Sequence, residues 1–512
     1  MWHRTVSGIT AIALLCAAAG TRADPFGPGT YWGYTYKSID VVAKGSSSFA
    51  ESIGRNLQRF DTAFAIATKL DLGKWRPRTH VYALEPSVLS KVWAVSTGTE
   101  ISYRAGTFSN DIVMDSHGEA DNLYYGAYFG YAGSLLVADS RLRFPAWFQV
   151  GVSGVFAASI VRKDDVLIGT YSKGQIGMLV RGLWIPMRTV LRLAASDPKL
   201  REDRYGAQYD AECWLLVHMA LIDGKHRDEL DAYITALSNG TPEEQAFTQN
   251  FHVGYEDLDN ELHLFIQQGQ FNQLSIKVPA DTDSIVPVKL TQAQVDARLA
   301  ELTVHARRDI DYGLKLAAQA LAQEPGNEFA LRAQSRGLIF KEQFTEAYQS
   351  VQLLLAVPGL SPMGRVDAGG VYGSLARAVS SKRVDLGVDA SALWRVAGDA
   401  YNSAISSDPE NLEAYFDYAN LLESEHDLER IRTFLPQAEQ AFYRHPHIDG
   451  LAQVISSMNW SLNDLDDALV FAVAWRRTAL TPAGRDAADS YISRLRAAKA
   501  RKDSIGQEAV TQ

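Results

Sequence analysis

A chain of 512 residues, 46% apolar and 21% charged, can bury sizeable cores, and its length favours two or three domains. Its formal charge of −10, with no basic patch interleaved with aromatics, argues against nucleic acid as a partner. Its two cysteines, Cys16 and Cys213, leave no set of thiolates for a metal cluster.

The N-terminus opens with Arg4, an apolar run "GITAIALLCAAAG" and the small-x-small tripeptide "TRA" at 21–23. That order reads as a secretory signal peptide over 1–23, because the run is too short to span a bilayer. Leu15 precedes Cys16 where a lipoprotein needs a small residue, so soluble export to a periplasm or the exterior is expected. Cleavage removes Arg4 and Arg22 and makes the mature chain more acidic still. No later run is long and apolar enough to cross a membrane.

From 24 to about 115 the pattern is mixed α/β. "SIDVVAK", "THVYAL" and "NDIVMD" are short β-rich runs. Between the first two, Phe49, Ile53, Leu57, Phe60 and Phe64 recur at helical spacing. The serines of "GSSSFAES" suit a helix N-cap better than a nucleophile, since no base or oxyanion site accompanies them. From about 120 to 270 the period is mostly helical, ending in "DLDNELHLFIQQ" with Leu258, Leu262, Phe265 and Ile266 on one face. The stretch 271–290, with Pro279 and Pro287, lacks periodicity and reads as a linker that brief proteolysis would cut, leaving two folded fragments. Beyond 291 the chain reads as helical to about 505, punctuated by Pro325, Pro358, Pro409, Pro446 and Pro482. Ala320, Ala347, Ala404 and Ala441 fall where helices must approach closely. The spacing resembles the tetratricopeptide repeat, a helix pair of ~34 residues that stacks into a solenoid, although 359–390 fits it poorly.

The decisive stretch is "YFGYAGSLLVADSRLRFPAWFQVGVSGVFA", 128–157. It resembles the active-site segment of the peptidase MA-like gluzincins, H-E-Y-x-H followed by P-x-W-x-x-E-G, and the resemblance extends over roughly 36–275. Tyr131, Pro145, Trp147 and Gly151 match. "PRTHVYALEPSVLSKV" is similar to the family's early strand and following helix. "YDAECWLLVHMALIDG" is similar to its helix after the third zinc ligand. The resemblance implies zinc held by two histidines one helical turn apart and by a later carboxylate, with a Glu polarising the bound water. Here Phe129 stands at the first histidine, Gly130 at the catalytic Glu, Gly133 at the second histidine and Val150 at the third ligand. No shift by one residue restores a ligand, because 122–160 contains no His, Glu or Cys. The expectation is an apolar replacement of the metal, with Phe129 and Val150 buried and close together.

Other candidates read as ordinary structure. "HGEAD" offers His117, Glu119 and Asp121 near a turn, where polar residues are usually solvated. Cys213 and His218 lie in an apolar helical run and read as buried core residues. The pair at 445–447, "HPH", falls at a repeat boundary without a third ligand, and the acid pairs Glu243–Glu244 and Asp466–Asp467 suit helix starts. No G-x-S-x-G elbow or Walker loop is present. The sequence therefore reads as α+β: a degenerate gluzincin-like domain over 24–270 with a small mixed sheet, then an all-α tetratricopeptide-like solenoid over 291–505. Without catalytic residues, cofactor or metal, its expected role is binding a peptide or protein. A hydrolase with an unrecognised site and a structural envelope protein are the alternatives.

Overall fold

Three apolar runs become the parallel heart of a six-stranded sheet, and this fixes everything packed around them. The computed structural model describes residues 30–510 apart from 69–76, 94–100, 106–107, 117–119, 139–143, 195–196, 280–284, 447, 449 and 480–481. The expected leader, 1–23, and the His117 to Glu119 segment lie outside the described residues. The first lobe begins β1 (Tyr31–Tyr36), β2 (Ile39–Lys44), α1 (Ser47–Thr68), β3 (Arg78–Leu84) and α2 (Pro86–Val92). It continues β4 (Ile101–Ala105), β5 (Ser109–Asp115), α3 (Ala120–Ala138), α4 (Ala146–Ala157), β6 (Ile160–Val161) and β7 (Asp165–Ile168). Then come α5 (Lys173–Arg181), α6 (Met187–Val190), α7 (Asp203–Leu221), α8 (Arg227–Ser238), α9 (Glu243–Asn250) and α10 (Tyr255–Gln268).

The large sheet has the order β4-β5-β3-β2-β1, with β2, β3 and β5 parallel and β1 and β4 antiparallel to their neighbours. Strand alternation divides its side chains between two cores. Val41, Ala43, Val81, Ala83, Ile112 and Met114 face one core, with Ile53, Leu57, Phe60 and Phe64 of α1 and the helices α3, α4 and α7. Val42, Tyr82, Leu84 and Val113 face the other. Helix α1 starts where the sequence indicates, with the Phe49 amide donating to Ser46 Oγ at 3.1 Å.

The stretch expected to be a linker is instead tied down at both ends. Its β8 (Leu274–Lys277) pairs with β7 in a three-stranded sheet, and its β9 (Val288–Lys289) pairs with β1 at the edge of the large one. Each strand is too short to show a period, so main-chain pairing rather than pattern holds this segment.

Beyond it the helices come in pairs joined by short turns, which place partners antiparallel. They are α11 (Gln292–His305) with α12 (Ile310–Gln323), α13 (Glu328–Phe340) with α14 (Phe344–Leu355), and α15 (Pro362–Ser380) with α16 (Ala390–Ser407). Next are α17 (Leu412–Glu425) with α18 (Leu428–Arg444) and α19 (Leu451–Ser461) with α20 (Leu465–Thr478), closed by α21 (Pro482–Val510). Side chains of Thr291, Asp309, Asn327, Ser361, Asn411, Asp427 and Asp464 cap the starts. Pro325, Pro358, Pro409 and Pro446 follow helix ends, whereas Pro482 begins one. The four alanines expected at close contacts are fully buried. The stretch 359–390 departs from the repeat as expected: it forms a helix pair, but α15 and α16 have 19 and 18 residues and a longer connection, which stretches the proline spacing there.

The first repeats do not stand apart from the sheet. Val295, Leu299, Leu302, Leu316 and Ala333 share one core with Tyr31, Val42, Tyr82, Leu84 and Val113. Arg298 pairs with Asp40, and His305 Nδ1 lies 3.6 Å from Asp111 Oδ2. The sheet is therefore sandwiched between the first lobe's helices and the repeat array.

Candidate functional site

Helices α3 and α4 do pack together, with Gly133 opposite α4: a Cβ built on it would meet Ser153 Oγ at 3.3 Å. The burial expected at the four positions aligned with the gluzincin motif is only partly present. Gly130 is buried, but Phe129, Gly133 and Val150 are half-buried. The core face of α3 is carried by Tyr128, Tyr131, Ala132 and Leu135, and Phe129 turns aside to stack on Tyr125 with ring centroids 6.4 Å apart. Phe129→Ala is therefore expected to cost ~1–2 kcal/mol rather than the ~3–5 of a fully buried phenylalanine, measured by urea unfolding. A loss in the larger range would place Phe129 in the core.

The residues that match the motif have packing reasons of their own. Trp147 is fully buried and stacks on Tyr233 at 6.1 Å. Gly151 lets α4 approach α7 closely, since a Cβ there would lie 2.5 Å from the Cys213 carbonyl oxygen. Cys213 is buried and free, and burial pushes its thiol pKa up, away from the reactive thiolate. His218 is a core residue, with Nε2 2.8 Å from the Gly169 carbonyl oxygen and burial lowering its pKa. Glu243–Glu244 and Asp466–Asp467 occupy first helical turns. Among the described residues, no three His, Cys, Asp or Glu side chains converge as metal ligands, and no helix is long and apolar enough to cross a membrane.

A concave feature of the described residues lies elsewhere, between the sheet lobe and the repeats. A cavity of about 910 Å³ opens there. The sheet lobe lines it with the β1–β2 turn (Tyr36 to Ile39), Gln58, Asp61 and Thr62 of α1, Arg78, Phe108 and Tyr131. The repeats contribute Met363, Asp408, the run Glu410 to Glu413, Arg444 and His445. Phe108 meets Phe416 across the seam, ring centroids 5.5 Å apart. His445, expected in a surface loop, reaches Glu410 with Nε2 2.7 Å from Oε2, and Arg444 donates to the Pro409 carbonyl.

Behind the cavity runs a band of charge on the first helices of successive repeats. Arg332 is buried between Glu301 and Asp367, and Arg336 Nη1 donates to Asp367 Oδ1 at 2.9 Å. Glu413 and Asp417, one turn apart on α17, make no hydrogen bond or ion pair within 4 Å among the described residues. Burial, then Asp367, raises the Glu413 pKa. Burial, then Glu413, pushes that of Asp417 from the usual 3.8 up to about 8. A raised carboxyl pKa means that folding takes up a proton between the unfolded and folded values, so stability falls as pH climbs through that window. Asp417→Asn is expected to gain on the wild type as pH rises from about 5 to about 8.5, read as melting temperature. An equal difference at both ends would contradict the shift.

Sequence reading missed Asn411, Glu413, Asp417 and Arg78. The acids at i and i+4 on an amphipathic helix look like a solvated face, and it is the neighbouring repeats, with Arg78 of the sheet lobe near Glu413, that enclose them.

No family model matches this chain, and no curated protein does. Among solved structures it is similar to a thermophilic TPR protein of Thermus thermophilus, with 18% identity over 39% of this chain and 97% of that one, TM-score 0.30. MamA protein shows 13% identity over 36% and 92%, TM-score 0.28. Yeast Tom70 shows 12% identity over 66% and 72%, TM-score 0.26. The tetratricopeptide-like description rests on the helix pairs themselves.

Proposed function

We propose that this chain is an exported, non-catalytic relative of the gluzincin peptidases that binds a polypeptide segment between its sheet lobe and its helical repeats. The observation that supports this most is the cavity of about 910 Å³, within the size range of small-molecule and peptide pockets. Its lining joins apolar surface from Phe108 and Met363 to polar groups that fix orientation, among them Arg78 and Asn411. An extended peptide offers both: apolar side chains for the former and main-chain amides for the latter. The non-catalytic half of the reading rests on Phe129, Gly130, Gly133 and Val150, none of which can ligate zinc or activate water. Export rests on the expected leader over 1–23.

Two measurements test the reading. The purified mature chain is expected to carry no stoichiometric zinc and to leave peptides uncut; one tight zinc per chain mapped to 128–157 would overturn the non-catalytic half. Thr62, half-buried on α1, lines the cavity and can carry a larger side chain into it. Thr62→Trp is expected to abolish binding of a random capped dodecapeptide pool while leaving the melting temperature near that of wild type. Undiminished binding would move the site away from this cavity.

A further inference from the structure

The charge band is not balanced from within. Arg332 and Arg336 are taken up by Glu301, Asp367 and, at 4.0 Å, Glu328. Glu413 and Asp417 are left half-buried with no close cation among the described residues. A partly desolvated carboxylate without a partner is costly, and such groups either hold a proton or find a positive charge. The groups facing the pair are Asp367, Arg332 and Arg336 from neighbouring repeats, Tyr401 of α16, and Arg78 of the sheet lobe. None of the arginines is closer than 4 Å to either carboxylate.

Asn411 supplies a second, independent unpartnered group. It is 8% exposed and lines the same cavity. Its Oδ1 accepts the Ala414 amide at 3.3 Å, which orients the group, and its Nδ2 has no acceptor among the described residues. A buried donor of this kind is rarely left unmet. The two groups together suit a ligand that brings an acceptor to Asn411 and a cation to Glu413. A bare metal ion does not suit the pair, because Asn411 presents its amino group rather than its oxygen and no third ligand is at hand among the described residues.

We propose that the cavity recognises its polypeptide through one basic side chain, held by Glu413 at the cavity wall with Asp417 one turn behind it, and a neighbouring main-chain carbonyl, held by Asn411 Nδ2. This rests on the polypeptide-binding reading above and gives it a specificity. An incoming ammonium or guanidinium favours the ionised carboxylates, so binding releases protons and strengthens as pH rises toward the range where the pair ionises unaided.

The probes are three dye-labelled capped hexapeptides of alanine carrying lysine, norleucine or glutamate at the third position, titrated by fluorescence anisotropy against the full mature chain. The lysine peptide is expected to bind roughly tenfold or more tighter than either counterpart near pH 8, with the margin shrinking near pH 6. In the Glu413→Gln/Asp417→Asn variant the three peptides are expected to bind alike. This variant removes unmatched acids, so it should fold at least as well as wild type. Asn411→Ser, which keeps a helix cap, is expected to weaken all three equally. If all three peptides bind wild type alike, the basic preference is wrong and the polypeptide reading survives. A lysine preference that persists in the double variant overturns the assignment to these carboxylates. If no peptide binds, both readings fall.

Discussion

Replacing Gly151 by valine is expected to lower the stability of the chain by ~1–3 kcal/mol or more, the usual cost of forcing bulk into a filled core. The reason is local. Its missing Cβ would lie 2.5 Å from a main-chain oxygen, that of Cys213, which no side-chain rotation can move aside. Nor is α4 free to back away, because Trp147 and Val155 are fully buried on it and Gly154 sits under Trp214. Gly133→Ala is the contrast. Its Cβ would meet only the Ser153 hydroxyl, at 3.3 Å, on a half-buried position, and alanine favours a helix over glycine by ~1 kcal/mol. That variant should be neutral or slightly stabilised. Urea midpoints compare the two, and equal stability of Gly151→Val and wild type would mean that α4 and α7 do not approach as described.

The second large effect is expected at the seam between sheet and repeats. Leu299 is fully buried in the core shared with Tyr31, Val42 and Tyr82, and Leu299→Ala should cost ~2–5 kcal/mol. Leu299→Asp should cost more, because it places a carboxylate without a partner against that sheet face. The same geometry revises the outcome of proteolysis within 271–290. A separated 24–270 fragment would expose Tyr82, Leu84 and Val113 to water, so it is expected to aggregate alone and to remain soluble when co-expressed with the repeats. Gel filtration decides this, and a monodisperse isolated fragment would show that the seam is dispensable.

That seam was legible in the sequence, though not read from it. "DVVAK", "HVYAL" and "DIVM" are near-continuous apolar runs rather than alternating ones, the mark of strands covered on both faces. The first lobe's helices cover one face, and the repeats are what remains to cover the other. β1, "YWGYTY", escaped because Gly33 interrupts a short run whose other residues, the aromatics and Thr35, are strand formers. The α1 face, the capped repeat starts and the buried alanines were all readable, since each depends on residues within a turn or two of one another. The cavity was not, because it joins the β1–β2 turn to residues more than 300 positions away. In the 128–157 stretch, spacing placed Gly133 on the side of α3 that meets α4, but which neighbour Phe129 would choose depended on Tyr125.

Peptide binding between sheet and repeats is tested most directly by hydrogen–deuterium exchange on the full mature chain, with and without a saturating pool of random capped dodecapeptides. The peptides are checked for cleavage by mass spectrometry in the same samples. The expected result is slowed exchange around the β1–β2 turn, the Gln58 to Thr62 turn of α1 and the Asp408 to Glu413 run, with the peptides intact. Peptide cleavage, or protection confined to other parts of the chain, would contradict it.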